Sequence, residues 1–581
     1  MYTIQENVRI VISLLKEYNI HYVVLSPGGT NIPVVSALQN DSFFHCYSVP
    51  DERSAIYFAI GLYWQTGEII ATSCTSAQAT RNYVPGLTEA FYKHVPILAI
   101  TTSKLERYSY QDYMQAPDQT SLPKDAVKNS YSLPQITDEN TRFFVCQTAR
   151  EAITELTHRT PGPVQLNIRI NDAQNLTFVE QELPKIRTFR RYMAWDDWKD
   201  VSLEGKKILI VIGEHRPFSQ EEKKSIEFFA ECYDAAIYAV HISNYNGKYA
   251  VHANLSLSSI HESLDSLNLH PDVLITIGGQ TGDYTIFGRL VGLQSCEHWR
   301  VAMDGNVVDT YNILSKIFEV SETYFFNRLS KGRVILNEHT FFNVWKEFEN
   351  AADYNIELPF SNAYIAQQLH DSIPDGSYMG FAILNSLRMW NFFPLASNII
   401  SSSPVGAFGI DGGMSILIGE SMNTSQLCFM VTGDLAFFYD MNSLGIRHIK
   451  NNLRVLLINN CGGAEFKIMT RNCKGKVKTE DYISACGHNS TAQGWAENNG
   501  FKYIQASSKD ELDIYKNEFV SKSNVPIVFE VFTNAEDELS SYNLLTKSSE
   551  LATGKKIKDI VKGILGDKGV KTVKNIINGM S

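Results

Sequence analysis

The chain has 581 residues, 44% of them hydrophobic and 20% charged, with a formal net charge of −11. The length allows about three to five ordinary domains, the composition is that of a globular protein, and the acidic balance argues against nucleic acid as the main partner, because phosphate recognition needs a basic surface. Nine cysteines are scattered from Cys46 to Cys486 without a C-x-x-C pair, which disfavours a disulfide framework or a zinc cluster and fits the reduced thiols of a cytoplasmic protein.

Residues 1–19 carry charges inside an apolar period of Ile4, Val8, Ile12 and Leu15. That is the mark of an amphipathic helix, not of a signal peptide. Short apolar runs follow at 21–26, 68–72, 95–101, 207–213, 273–279, 426–432 and 454–459, each succeeded by a helix-like stretch. Strands alternating with helices predict an α/β fold of three doubly wound parallel-sheet domains. Polar stretches near 175–190 and 351–359 read as linkers. They divide the chain into domains at 1–180, 190–345 and 356–545. A lysine-rich tail at 548–581 repeats apolar residues at helical spacing (Ile557, Ile560, Val561, Ile564). A solvated or self-packed terminal helix is the favoured reading of that tail, over docking on a partner or on anionic lipid.

The most informative stretch is 427–466. One apolar run ends at Thr432 and is followed by Gly433, Asp434 and a helix-like segment over 437–449. A second run, 454–458, ends at Asn459, Asn460, Cys461, Gly462 and Gly463. Two parallel strands would thus bring a carboxylate and an amide to one sheet edge. A diphosphate suits the free N–H groups of a helix start and the close approach that glycine permits. A magnesium ion wants six hard oxygens. Asp434 offers a carboxylate oxygen, Asn460 an amide oxygen and Gly462 a carbonyl, with phosphate oxygens and water completing the shell. Gly-Asp or Asn-Asn alone is an ordinary turn dipeptide; the ordered pair at two successive strand ends favours the metal–diphosphate reading.

This pair resembles the Gly-Asp … Asn-Asn signature of thiamine diphosphate enzymes. The fuller run from Gly433 to Phe466 is similar to that of the family of 2-succinyl-5-enolpyruvyl-6-hydroxy-3-cyclohexene-1-carboxylate synthases (SEPHCHC synthases). The likeness extends to Leu25-Ser26-Pro27-Gly28, to the helix opening at Pro50-Asp51-Glu52, and to residues 74–101. It implies thiamine diphosphate with magnesium or manganese, a pyrimidine-binding, a middle and a diphosphate-binding domain, and a homodimer or homotetramer whose site is shared between subunits. It places the cofactor-activating carboxylate on Glu52 and cofactor contacts on Ser386, Gly433, Asp434, Leu435, Ala436, Asn460, Gly462 and Gly463. Ile410, in the glycine-rich loop 406–413, would hold the cofactor bent. Without the resemblance, Glu52 reads as a first-turn glutamate favoured by the helix dipole.

The chain also departs from that family. Arginines that bind substrate carboxylates there are replaced by Thr30 and Val405, and Arg388 is shifted from a third position. Glu465 stands where the family has an aliphatic residue, either as an acid–base group or as a side chain pointing to solvent. Gln115 and Phe466 are further candidates for the substrate side, and Gln119 aligns loosely with a polar cofactor-side position. No histidine falls in a motif, so all fourteen read as structural. The expectation is decarboxylation of a 2-oxo acid donor with transfer to a small acceptor, less carboxylated than the family's or differently shaped, such as a sugar. The alternatives are a decarboxylase releasing an aldehyde and a catalytically silent paralogue with a binding role.

Overall fold

The computed structural model describes residues 1–260, 262–470 and 480–546. The lysine-rich tail at 548–581 lies outside the described residues. The chain forms two compact units, Met1–Asp196 with Asp304–Glu319, and Asp197–Met303 with Val320–Ser581.

The first unit is built on a six-stranded parallel sheet. Its strands, in spatial order, are His45–Ser48, Tyr22–Leu25, Ile70–Cys74, Ile97–Lys104, Val164–Ile170 and Ser130–Leu133. Ile70–Cys74 and Val164–Ile170 are buried along their whole length, as strands covered on both faces must be. One face packs Ile12, Leu15, Val34, Leu38, Val145 and Ala149; the other packs Ala55, Ile56, Ala59, Leu87 and Ala90. Helix Glu52–Thr66 starts where the Asp51 side chain accepts the N–H groups of Arg53 and Ser54, at 3.0 and 3.4 Å, and stops at Gly67, whose φ is 72°. This cap and stop pair is why Glu52 sits in a first helical turn. The unit is completed by a parallel pair, Arg190–Met193 with Leu314–Glu319, and by a buried ion pair of Arg150 and Asp309 at 3.1 Å.

The second unit holds two further parallel sheets. In the first, Ala250–Val251, Ala235–Ala239, Ile208–Ile212, Val273–Ile277 and Glu297–Val301 lie in that order. In the second the order is Ile400–Ser402, Tyr378–Phe381, Cys428–Gly433, Leu453–Asn459, Ile527–Phe532, Lys502–Ala506. The predicted α/β class is the observed one, and every apolar run singled out in the sequence is a strand, its ends shifted by a few residues.

Two stretches near the sheet edge take shapes of their own. The helix expected over 437–449 begins earlier, as Asp434–Asp440, and continues as the 3-10 turn Met441–Gly445. Asp434 opens it, its own Oδ1 accepting the N–H of Leu435 at 2.6 Å. The stretch 381–387 is not a strand throughout. The strand ends at Phe381, Leu384 turns the chain at φ 63°, and Asn385 and Ser386 open the helix Asn385–Asn391.

Ile100 lies on a central strand and is fully buried. Replacing it by alanine is predicted to cost about 2–5 kcal/mol, seen as a lower urea midpoint for the first unit, whereas the exposed Lys93→Ala should leave that midpoint within error.

Candidate active site

Strands Cys428–Gly433 and Leu453–Asn459 run side by side, with Gly433 opposite Ile458. Their carboxyl ends bring Asp434 and Asn460 to one edge, as the spacing predicts. Asp434 is 1% exposed. Its Oδ2 accepts the backbone N–H groups of Asn460 at 3.0 Å and Gly462 at 2.9 Å. Burial pushes the Asp434 carboxyl above the usual carboxylate range, against the opposing pull of these donors and of His488.

Asn460 is the second half of the site. Its Oδ1 is buried and has no hydrogen-bond partner. An amide oxygen left in that state costs about 1–3 kcal/mol, and a hard cation beside Asp434 would satisfy it. The pair therefore fits a divalent metal. Among the described residues no cluster of three or more His, Cys, Asp or Glu can hold an ion unaided, so other oxygens must complete the shell. A Cβ at Gly433 would meet nothing within 4 Å, which leaves room for a phosphate group at the start of the helix.

The glycine turn is locked from behind. At Gly462, φ 155°, a Cβ would lie 2.7 Å from Cys486 Cα. Gly463 donates its N–H to the Ser484 carbonyl at 2.6 Å, and Gly487 donates to that of Cys461 at 2.9 Å. The Gly462 carbonyl accepts the Ala464 N–H at 3.2 Å, which leaves it a second lone pair. Asn459, adjacent to Asn460, has a different task. Its Nδ2 donates to Glu530 Oε1 at 2.7 Å and to the Ser490 carbonyl at 3.0 Å. Glu530 is fully buried and also accepts the Ala492 N–H at 2.9 Å and the Tyr503 hydroxyl at 2.8 Å. Of the two asparagines, one braces the loop and the other keeps its amide oxygen unpaired.

Glu465 does not point to solvent. It is buried, and its two oxygens accept both Nη groups of Arg388, at 2.6 and 3.0 Å. Arg388, read from the sequence as a substrate-side cation, is thus neutralised by the chain itself. Thr30 is likewise turned inward. Its hydroxyl lies 2.8 Å from that of Thr75 and 3.0 Å from that of Thr102, and it accepts the Ser76 N–H at 3.1 Å. The Thr30 hydroxyl is thus engaged within its own chain. Gln119 is buried in the same unit, bonded to Thr80, Ala77 and Asn167, whereas Gln115 is exposed with φ 56°.

In the second unit Ser386 and Ala436 are buried, Leu435 and Phe466 are half-buried, and Ile410 is 38% exposed. Phe466 lies against Gly463, 2.9 Å from where a Cβ would be. Glu52 is half-exposed, not buried in an apolar pocket of its own chain, and accepts the Asn82 amide N–H at 3.2 Å.

One residue escaped the sequence reading. His488 Nε2 lies 3.3 Å from Asp434 Oδ2. Its Nδ1 accepts the Ser490 N–H at 3.3 Å, while its Nε2 is buried without a hydrogen-bond partner. No motif flags it, because it belongs to a loop 54 residues beyond Asp434.

Residues 6–122 match the family described as thiamine pyrophosphate enzyme, N-terminal TPP binding domain. Together with the parallel α/β sheets, that match defines a thiamine diphosphate-dependent enzyme. Three relatives carry the name 2-succinyl-5-enolpyruvyl-6-hydroxy-3-cyclohexene-1-carboxylate synthase. That of Phocaeicola vulgatus is 30% identical over 556 residues, 93% of this chain and 97% of its own length. That of Bacteroides thetaiotaomicron is 30% identical over 549 residues, 92% and 97% of the two chains. That of Flavobacterium johnsoniae is 25% identical over 535 residues, 90% and 95%. The chain belongs to the SEPHCHC synthase family.

Glu538 supplies a pH-dependent check on this region. It is 1% exposed, its Oε1 accepts the Asn362 N–H and the Thr533 hydroxyl, and its Oε2 has no partner. Burial pushes its carboxyl up to about 7. The folded chain therefore keeps a proton that the unfolded chain releases near the ordinary glutamate value. Stability from this group is full in acid and is lost as pH rises through about 7. Glu538→Gln is predicted to flatten that part of the profile, measured as the denaturation midpoint of the second unit against pH.

Proposed function

We propose that this enzyme decarboxylates a 2-oxo acid and transfers the resulting fragment to a small acceptor, using thiamine diphosphate with magnesium or manganese. The observation that carries the reading is the buried Asp434 carboxylate beside the orphaned Asn460 amide oxygen, both at the ends of adjacent parallel strands. Asp434, Asn460 and the Gly462 carbonyl would hold the metal. Gly433, Leu435, Ala436, Gly463 and Ser386 would line the diphosphate end. When bound, thiamine diphosphate supplies the electron sink that lets a 2-oxo acid lose carbon dioxide.

Glu52 is the proposed proton-sharing carboxylate. Its place in a first helical turn and its single amide bond to Asn82 leave one oxygen for a ring nitrogen. In its own chain Glu52 is open, and its helix exposes Tyr57, Phe58 and Trp64 at 47%, 43% and 65%. Such a row is what a partner subunit would cover, which supports a homodimer, or a homotetramer built from dimers, with the site completed across subunits. A cytoplasmic location is part of the proposal; among the described residues no helix is long and apolar enough to cross a membrane.

The acceptor is proposed to be less carboxylated than the one the family resemblance implies. Thr30 is consumed internally, Val405 is fully buried, and Arg388 is paired with Glu465. Fewer free cations favour an acceptor with fewer carboxylates. Glu465, held bidentately, is proposed to fix Arg388 and to set the local charge rather than to exchange protons.

Three experiments test the reading. In calorimetry of the metal-stripped protein, thiamine diphosphate is expected to bind only with magnesium, and Asp434→Ala and Asn460→Ala to abolish binding. Failure of the wild type to bind would return the chain to a silent, partner-binding role. Glu52→Gln should bind the cofactor like wild type but lose about 10²–10⁴-fold in turnover of 2-oxo acids. In a screen of pyruvate, 2-oxobutyrate and 2-oxoglutarate, free aldehyde that persists with every acceptor offered would favour the simple decarboxylase.

A further inference from the structure

The first sheet of the second unit has an arrangement that, in open α/β folds, makes a ligand site. Numbered by sequence, the five of its strands that belong to this unit lie in the order 3-2-1-4-5. The order reverses between Ile208–Ile212 and Val273–Ile277, and small ligands ordinarily sit outside the carboxyl ends of such a strand pair. Here that crevice is closed. Gly213 donates its N–H to the Ile277 carbonyl at 3.0 Å, Glu214 to that of Gln280 at 2.9 Å, and Gly279 to that of Glu214 at 2.8 Å. A Cβ on Gly213 would stand 1.8 Å from the Gly279 oxygen. The glycines at this edge serve loop-to-loop packing, not approach of a phosphate.

The outer side of the closed edge meets the loop that carries Ile410. Gln280 Nε2 donates to the Gly406 carbonyl at 3.2 Å. At Gly282, φ 64°, a Cβ would fall 2.7 Å from Leu387 and 3.1 Å from Val405 side-chain carbons, so only glycine permits this approach. The Tyr284 ring stands edge-on to Phe408, with centroids 5.9 Å apart and planes at 74°. Phe408 itself has φ 58°. A bulky residue in the left-handed region persists only where its surroundings over-determine it, and these contacts grip Phe408 itself and the residues just before it.

We infer that Gln280, Gly282 and Tyr284 are positioning residues for loop 405–412, so that the ligand-binding edge of one sheet has become the clamp that sets where Ile410 stands. This rests on the reading of Ile410 as the side chain that shapes the bound cofactor. The clamp requires the Tyr284 ring and the Gln280 amide donor. Tyr284→Phe keeps the ring, Tyr284→Ala removes it, and Gln280→Leu removes the donor from an exposed position at nearly constant volume.

Two readouts on the full-length protein test it. The first is amide hydrogen exchange of loop 405–412 without cofactor. Tyr284→Ala and Gln280→Leu are expected to raise it about tenfold, with strand Leu453–Asn459 unchanged and Tyr284→Phe like wild type. The second is the near-ultraviolet circular dichroism of thiamine diphosphate bound with magnesium. The same two variants should weaken the band while their calorimetric affinity for the cofactor stays within about threefold, because Asp434 and Asn460 are untouched. Wild-type exchange and wild-type dichroism in both variants would overturn the inference. If the wild type binds no cofactor, the functional reading falls, and the exchange experiment still decides whether the clamp exists.

Discussion

Removing a carboxylate from water is expensive, and Asp434 is kept at the junction of two strands by three backbone N–H groups, with the His488 imidazole 3.3 Å away. Those contacts tie the end of Cys428–Gly433 to the turn that follows Leu453–Asn459. The helix start, the glycine turn and the brace from residues 484–487 all take their places around that tie. Burial opposes the charged form of Asp434 while leaving the Asn460 amide oxygen without a donor. A hard cation at that edge would answer both features.

Two other buried carboxylates divide the remaining work. Glu530 links Asn459, the Ala492 backbone and Tyr503, which fixes the loop from which His488 reaches back. Glu465 takes both nitrogens of Arg388. Removing one partner of such a pair would strand a buried charge, at about 3–5 kcal/mol, so the two residues act as one unit. The pair spans from the helix Asn385–Asn391 to the helix Ala464–Thr470. Within the pair the Arg388 charge is met by the chain's own carboxylate.

Much of this was legible in the sequence, and the rest was hidden for physical reasons. The strands were readable because parallel strands buried on both faces are continuous apolar runs, as at Ile208–Ile212 and Leu453–Asn459. Asp434 and Asn460 were readable because strand ends in a parallel sheet share an edge, so spacing alone places them together. The fate of Arg388 was not, because its partner lies 77 residues away and periodicity says nothing about pairing at that range. Thr30 looked like a substituted substrate residue, yet its hydroxyl closes a network with Thr75 and Thr102 that only the folded sheet creates. His488 had no motif, and the half-exposed state of Glu52 in its own chain is not something helix position alone reveals.

The central claim is that Asp434 and Asn460 together hold a divalent metal over a diphosphate. The most direct test is a crystal structure with thiamine diphosphate and manganese, read through the anomalous signal of the metal. A peak about 2.2 Å from an Asp434 carboxylate oxygen and from Asn460 Oδ1 is the predicted result. Manganese located elsewhere, or an Asn460 oxygen turned away from it, would contradict the account.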